Sequence, residues 1–179
     1  MTYADYLTAE RVAQVKHEYL RGQVWAMAGG TIEHGRLAMA IGNALSNALR
    51  GKPCVVLSSD VRVRIEATDR TTYPDVTVVC GPRAVSADDN DAIVNPVVLV
   101  EVLSDSTEAD DRGEKFAHYR RLASLREYVL VSQHERRVEV FRREGDHWSL
   151  YEAATGDTIQ LGSIGAALVV DEIYFDPTA

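Results

Sequence analysis

The chain has 179 residues, of which 46% are apolar and 26% charged, proportions that are ordinary for one soluble globular domain. No stretch approaches the roughly eighteen apolar residues that a membrane span requires. The first residues carry acids early and contain no continuous apolar run, so no signal peptide is expected. We therefore expect a cytoplasmic protein without membrane contact. The net charge of −8 argues against a protein that coats nucleic acid nonspecifically.

Basic residues are concentrated in one part of the chain, residues 112–143. This range holds nine of the nineteen lysines and arginines against four acidic residues, so it carries a charge of +5 while the remainder carries −13. If the fold gathers these residues on one face, that face attracts a phosphate-bearing ligand. Solvated faces of a helix and of a strand are an equally good interpretation.

The two cysteines, Cys54 and Cys80, each lie in an apolar run that is typical of a strand. Free cysteine packs as a small apolar side chain, and no CxxC spacing indicates a metal site. The pattern therefore predicts two buried thiols rather than a redox or zinc site.

Turn and cap signals divide the first part of the chain. We predict a helix over 3–15, followed by a hairpin over 16–28. Thr31 is typical of a helix N-cap, and apolar residues every three or four positions continue that helix to about Leu49.

The rest of the chain has mainly the patterns of strands. Apolar runs predict strands over 54–65, 74–80 and 97–103, followed by a helix from about Arg112 to Ala123. The later elements are a meander over 127–153, a closing hairpin and a last helical turn capped by Asp171. These elements predict a single α/β (α+β) domain over 1–179, with a mixed central sheet flanked by helices.

Glu101 is the first candidate for chemistry because it lies inside the apolar run VVLVEVL. This run is predicted to be a central strand, where an unpaired charge costs several kcal/mol or becomes protonated. Pairing with an arginine or with backbone amides explains such a residue as well as a functional site does.

Asp75 follows Pro74 and is predicted to begin the strand PDVTVVC. An antiparallel return to VVLVEVL is the simplest connection, and it places the start of the first strand beside the end of the second. Asp75 and Glu101 are then neighbours, and two carboxylates at one sheet edge repel each other unless a cation or a shared proton compensates. Mg²⁺ suits the pair because it takes one or two carboxylates, keeps waters and leaves room for phosphate oxygens.

Lys115 lies on the predicted helix after Glu101, at helical spacing from Tyr119. A lysine on or beside the inward stripe of this helix directs its ammonium group toward the two carboxylates. A surface pair between Asp111 and Lys115 is the simpler alternative, and it is worth only a few tenths of a kcal/mol.

Nearly the whole chain carries a set of segments in a characteristic order. They are HEYLRGQVWAMAGG, SSDVRVRI, YPDVTVVC, LVEVLSDST, RGEKFAHYRRL, LREYVLV and LVVDEIY. Each segment is weak alone, but their order and spacing resemble the Uma-two family of restriction endonucleases, part of the PD-(D/E)XK nuclease superfamily. The resemblance runs from about Tyr3 to Tyr174 and implies a restriction-endonuclease-like fold.

The resemblance also implies roles for individual residues. The superfamily pattern has an Asp after a Pro, then an acid and a Lys two residues apart, and Asp75 and Glu101 match it. Leu103 occupies the lysine position, while Lys115 matches the position on the following helix where family members carry the lysine instead. Accessory residues expected near this site are Glu18, His34, Asp60 and Tyr119. A neutral His34 that supports the start of its helix is at least as good an interpretation.

The function implied by the resemblance is metal-dependent endonucleolytic hydrolysis of DNA. Asp75 and Glu101 are expected to hold Mg²⁺ or Mn²⁺, and Lys115 to assist the attacking water. A homodimer is expected if both strands of a duplex are cut. Two alternatives stay open: a noncatalytic nucleic-acid or protein-binding module with the same fold, and a hydrolase of smaller phosphate esters.

Overall fold

In the computed structural model, which describes residues 1–27 and 29–178, the N-terminal part of the chain alternates helices with short strands. Its elements are α1 (Tyr3–Glu10), β1 (His17–Leu20), β2 (Gln23–Ala26), α2 (Ile32–Ala48), β3 (Cys54–Ser58), β4 (Arg62–Ile65), β5 (Arg70–Thr72) and β6 (Val76–Cys80). A 3₁₀ turn over Glu66–Thr68 joins β4 to β5.

The C-terminal part consists mostly of strands, with one longer helical segment. Its elements are β7 (Ala92–Ile93), β8 (Val98–Val102), α3 (Glu108–Asp110), a π-helical turn (Asp111–Lys115), α4 (Phe116–Tyr119), β9 (Glu127–Val131), β10 (Arg137–Glu144), β11 (His147–Ala154), β12 (Thr158–Leu161), β13 (Ala166–Val169) and α5 (Val170–Ile173). The stretch from α3 through the π-helical turn to α4 is continuous, and we call it the crossover helix (residues 108–119).

The described strands form two large sheets and one hairpin. The main sheet has six strands in the order β11-β10-β9-β8-β6-β3, and a smaller sheet has five in the order β2-β1-β5-β4-β7. Neighbours in the main sheet are antiparallel apart from β8 and β9, which are parallel. Parallel neighbours need a long connection, and the crossover helix provides it. The remaining strands, β12 and β13, pair with each other.

The two faces of the main sheet bury different partners, because successive side chains of a strand alternate between faces. Val98 and Val100 of β8 pack in the larger apolar cluster with α2 and the β12–β13 hairpin. Leu99 packs in a second cluster with the crossover helix and with β4 of the smaller sheet. Glu101 shares the face of Leu99, so strand alternation directs its carboxylate toward the crossover helix.

The helix α2 packs on the main sheet through a narrow apolar stripe, as its spacing predicted. Leu37, Ile41 and Leu45 are fully buried. The side chain of Thr31 caps the helix, since its hydroxyl accepts a hydrogen bond from the backbone N–H of His34 at 3.0 Å. This cap fixes His34 in the first turn, next to the end of the main sheet.

Several other predicted elements are confirmed, and some of their bounds are wrong. The hairpin predicted over 16–28 forms as β1 and β2, with residue 28 outside the described residues. The first helix ends at Glu10 rather than at 15, since the chain turns after it with bonds from Val12 N–H to the Ala9 carbonyl and from Ala13 N–H to the Glu10 carbonyl. The Glu10 carboxylate then accepts a hydrogen bond from the backbone N–H of His17 at 2.9 Å. The crossover helix occupies 108–119 rather than 112–123.

The strand predicted over 54–65 is two strands. A turn closed by a hydrogen bond of 3.1 Å from Val61 N–H to the Ser58 carbonyl separates them, and they join different sheets. The cap predicted at Asp171 is also wrong, because Val169 occupies the N-cap position and Asp171 accepts a hydrogen bond from Gly156 N–H at 3.0 Å. None of the helices in the described residues has the length and apolar character to cross a bilayer.

The prediction of two buried thiols is wrong, because Cys54 and Cys80 form a disulfide. The antiparallel register of β3 and β6 places them directly opposite each other, with their Cα atoms 4.0 Å apart. Both side chains are only partly buried. The disulfide therefore ties the edge strand of the main sheet to its neighbour.

Candidate active site

A cavity of about 710 Å³ opens where the smaller sheet meets the end of β8. Its walls come from β1, β2, β5, the start of α2 and the crossover helix. We call it the acidic cavity because the carboxylates among its lining residues outnumber the cations. The acids are Glu18, Asp75, Glu101, Asp105, Asp110, Asp111 and Glu114, and the lysine and arginine side chains are Arg70 and Lys115.

Asp75 and Glu101 lie side by side, as the antiparallel return predicted. Val76 is paired with Val100 in adjacent antiparallel strands, so the next pair in this register is Asp75 with Glu101. The backbone N–H of Val102 donates a hydrogen bond to Asp75 Oδ2 at 2.7 Å. This bond fixes the Asp75 carboxylate across the end of β8.

His34 reaches the same carboxylate from the first turn of α2. Its Nε2 atom lies 3.2 Å from Asp75 Oδ2, and this hydrogen bond raises the pKa of His34 above its ordinary value. The geometry places His34 as a partner of Asp75 at the cavity. It fits both a supporting role at the helix start and a role in the site.

Glu101 is 4% exposed and has two close partners. Its Oε1 atom lies 2.9 Å from Lys115 Nζ and accepts a hydrogen bond from the Tyr119 hydroxyl at 2.8 Å. Burial raises the pKa of Glu101 to about 8; the ammonium group of Lys115 opposes this shift, and the carboxylates of Asp111 and Asp75 add to it. The carboxyl group is thus held firmly, in a place where its negative charge is costly.

Lys115 enters the cavity from the π-helical turn and is buried among acids. Its Nζ atom lies 3.1 Å from Asp111 and 3.6 Å from Glu18, in addition to Glu101. Burial alone would lower the pKa of Lys115, but Glu101 and the other carboxylates raise it well above its ordinary value. The pair with Asp111, predicted as a surface alternative, exists inside the site.

A lysine at the position of Leu103, where the superfamily pattern has one, would place its charge among apolar side chains. Leu103 is 3% exposed and belongs to the apolar cluster that holds Leu99 and Phe116. The ammonium group therefore comes from the crossover helix, which packs against the same face of β8.

The structure brings together most, but not all, of the predicted accessory residues. Glu18 is 5% exposed and faces Lys115, while Tyr119 is fully buried and also bonds to Thr72 at 3.0 Å. Asp60 is not at the cavity. Its side chain is 81% exposed and pairs with Lys16 at 2.6 Å in the turn between β3 and β4.

Arg70 also belongs to the site, although no sequence pattern predicts it, and it is 1% exposed. Its Nη2 atom lies 3.2 Å from Asp110 and 3.5 Å from Glu18, whereas Nε and Nη1 are buried without a hydrogen-bond partner. Because β5 has only three residues, no periodic pattern marks its side chains as buried. The turn at Asp69, which precedes Arg70 with a positive φ of 55°, is the one local signal that a short strand begins there.

The donor set fits a hard divalent cation. Among the described residues no three His, Cys, Asp or Glu side chains converge on one point. Asp75 and Glu101 are the two carboxylates that could hold a cation here, and Mg²⁺ is bound in proteins by one or two carboxylates together with water. The excess of carboxylates in the acidic cavity and the raised pKa of Glu101 both favour such a counter-charge.

Five of the nine basic residues of 112–143 form ion pairs within the fold. Arg112 pairs with Glu139 at 2.6 Å, and Arg142 pairs with Glu127 at 2.9 Å. Arg143 donates its hydrogen bonds to backbone carbonyls. The further members of this range with ion pairs are Lys115, Arg136 and Arg137. The interpretation as solvated and internally paired faces is therefore better supported than a phosphate-binding face.

The chain is similar to other proteins along almost its whole length. The Uma2 family model, described as "Putative restriction endonuclease", matches residues 3–170. The protein slr1290 of Synechocystis sp. is 37% identical over 171 residues, which cover 95% of this chain and 89% of that protein. The protein sll1609 of the same organism is 30% identical over 161 residues, which cover 90% of this chain and 91% of that protein.

A solved structure shares the fold. The crystal structure of a "putative nuclease" from Anabaena variabilis superposes with a TM-score of 0.75 at 14% identity, covering 97% of this chain and 98% of that one. The predicted fold class, a mixed α+β domain of the nuclease type, is thereby confirmed.

Proposed function

The chain belongs to the Uma2 family, and from this premise we propose that it is a metal-dependent nuclease that hydrolyses phosphodiester bonds of DNA. The observation that carries the proposal is the placement of two carboxylates and a lysine at one end of β8. Asp75 and Glu101 occupy paired positions of adjacent strands, and Lys115 lies 2.9 Å from Glu101. Two carboxylates that can hold a metal ion, with a lysine beside them, are groups that support hydrolysis of a phosphate diester.

Asp75 and Glu101 would hold a Mg²⁺ or Mn²⁺ ion, which supplies charge neutralisation at the phosphate and lowers the pKa of a water. Lys115 orients the attacking water and stabilises the negative charge that develops as the new P–O bond forms and the bond to the leaving sugar oxygen breaks. The attacking water gives up a proton to solvent, and the leaving oxygen takes one up from solvent. Tyr119 and His34 position the two carboxylates through their hydrogen bonds to Glu101 and Asp75.

The proposal is tested by incubating the purified protein with supercoiled plasmid in Mg²⁺ or Mn²⁺. We expect the wild-type protein to cleave the plasmid and EDTA to abolish this cleavage. In Asp75→Asn and in Glu101→Gln the cleavage rate should fall by about 100-fold or more. Asp60→Asn is the matched control, because this carboxylate is exposed and away from the cavity. Cleavage that survives both substitutions would show that the assignment is wrong. If calorimetry shows that the folded, Mg²⁺-free protein binds no divalent ion, the noncatalytic module is favoured instead.

A further inference from the structure

Trp25 forms an aromatic wall of the acidic cavity. It lies on β2, the edge strand of the smaller sheet, and its paired position on β1 is Glu18. Paired residues of antiparallel strands point to the same face, so Trp25 faces the same side as the site carboxylate Glu18. The side chain lines the cavity and remains 37% exposed. An indole with a free surface at a polar site is suited to stacking on a planar group.

Arg70 lies next to Trp25 and has unused donors. Its guanidinium carbon is 5.8 Å from the centroid of the indole ring. Nη2 is engaged by Asp110 and Glu18, but Nε and Nη1 are buried without a partner. Buried donors without acceptors are costly, and a guanidinium group matches phosphate oxygens in geometry. Arg70 also lines the cavity, so a ligand bound there lies next to a guanidinium group that has donors to spare.

The charges of the molecule disfavour binding through a long stretch of duplex backbone. The net charge is −8, and five of the nine basic residues in 112–143 already form ion pairs. Binding of duplex DNA to a surface depends mainly on cations that neutralise several phosphates. Binding energy at this site must therefore come largely from the bases and from a few contacts around the reacting phosphate.

We propose that Trp25 and Arg70 form a subsite for an unpaired nucleotide, with its base stacked on Trp25 and its phosphate toward Arg70. The proposal rests on the proposed function and names its substrate class: DNA with a single-stranded segment or end. A base within a duplex has both faces covered by its neighbours, whereas an unpaired base offers a free face to the indole. A cavity of about 710 Å³ is of the size that takes a small ligand rather than a duplex.

Trp25 is its own reporter once the other tryptophan is removed. The sequence has two tryptophans. The other one, Trp148, packs on Phe116 with the two ring centroids 5.3 Å apart, and it does not line the cavity. In the variant Trp148→Phe, all tryptophan fluorescence comes from Trp25. We would titrate it in Ca²⁺ with an oligothymidylate of about ten nucleotides, within the site sizes of single-strand binding folds, and with a duplex closed by hairpins at both ends.

We expect the single strand to quench Trp25 at concentrations at least about tenfold lower than the closed duplex. Because Trp25→Ala and Trp25→Phe remove the reporter, their binding is measured by the fluorescence anisotropy of a dye-labelled oligothymidylate, with the Trp148→Phe protein as the reference. Trp25→Ala should weaken single-strand binding by about 5- to 150-fold, the range of one stacked base, while Trp25→Phe keeps most of it. Arg70→Lys keeps a cation but loses the planar donors, and should weaken single-strand binding by about tenfold. Equal quenching by both ligands, or none, would overturn the inference. If Trp25→Ala does not fold, the titration of Trp148→Phe still decides.

Cleavage is measured in parallel on an oligonucleotide with a single-stranded flap and on the closed duplex. If the wild-type protein cleaves DNA and Trp25→Ala keeps the same preference between these two substrates, the proposed subsite is wrong and the proposed nuclease activity stands. Quenching of Trp25 by single strands without cleavage under any metal condition contradicts the nuclease and leaves the subsite supported.

Discussion

Glu101 is enclosed by Lys115 and Tyr119 at the end of a buried strand, and burial raises its pKa to about 8. At neutral pH this carboxyl group therefore holds a proton, which a cation in the proposed metal site would displace. We expect Mg²⁺ affinity to rise with pH up to about 8 and then to level off, with proton release on binding below that pH. Calorimetry in two buffers of different ionisation enthalpy measures the released proton. Affinity that is constant from mildly acidic to basic pH would contradict this.

The same shift has a consequence for stability without metal. The folded-state pKa of Glu101 lies above the ordinary value of 4.5, so the folded protein binds a proton that the unfolded chain has lost between these two values. Metal-free protein should thus lose stability as pH rises from about 4.5 to about 8, and Mg²⁺ should reduce this loss. Urea unfolding at several pH values, with EDTA or with Mg²⁺, checks both statements. In Glu101→Gln this contribution to the slope should be absent.

Lys115 lies against the carboxyl groups of Glu101, Asp111 and Glu18, so its removal leaves buried acidic groups without their cation. We expect Lys115→Met to lower the free energy of unfolding by about 3–5 kcal/mol in EDTA, the usual result of removing one partner of a buried ion pair. Added Mg²⁺ should restore part of this stability because it replaces the lost positive charge. The matched control is Lys16→Met, whose partner Asp60 is exposed; its effect should stay below about 1 kcal/mol. Similar effects of the two substitutions in thermal or urea unfolding would contradict the prediction.

At the scale of elements, the disulfide holds β3 on the main sheet. Cys54 and Cys80 are separated by 26 residues, and a loop of this length predicts a contribution of about 3 kcal/mol. For a chain of this size, reduction should lower the melting temperature by about 10 °C. The measurement is thermal unfolding with and without reductant, with Cys54→Ser as a variant that reductant no longer affects. The cysteines lie at the end of the β3–β6 pair opposite to Asp75, so the metal affinity of the reduced protein should not change.

The crossover helix decides the position of the lysine. Since β8 and β9 are parallel, the chain must return along the sheet before it forms β9, and this return covers the face on which Glu101 lies. The π-helical turn over Asp111–Lys115 then presents both an acid and a cation to the site. The same carboxylate–lysine pair that the superfamily pattern places on one strand is here shared between a strand and a helix.

For the whole molecule, the acidic surface predicts a weak dependence of DNA binding on salt. If no more than about two phosphates are neutralised, affinity should fall by about tenfold or less between about 50 and 200 mM salt, compared with about 10³–10⁵ for six to ten contacts. Titration of a fluorescent oligonucleotide over this range, with Mg²⁺ constant and in excess, gives the slope. A slope that corresponds to many contacts would mean that the arginines paired in the free protein exchange their partners for phosphates.

Features of the fold and the site that depend on segments close in sequence could be predicted, whereas those that depend on contacts between distant segments could not. The pairing of Asp75 with Glu101 follows from two strands and a simple return, so the pattern was sufficient. The position of Lys115 needed a family resemblance, because the geometry of a helix across a sheet is not readable from spacing. Arg70 and the disulfide depend on strand register between distant segments, and no local pattern encodes register.

The parallel pairing of β8 with β9 also determines when the surroundings of Glu101 form during synthesis of the chain. Glu101 lies on β8, but that strand is not covered on both sides until β9, which ends at Val131, has been added next to it. During synthesis the first 100 residues can form the hairpin and α2, yet β8 gains its second neighbour, with Lys115 fixed against Glu101, only after roughly three quarters of the chain has left the ribosome. An incomplete nascent chain should therefore expose Glu101 before Lys115 is packed against it.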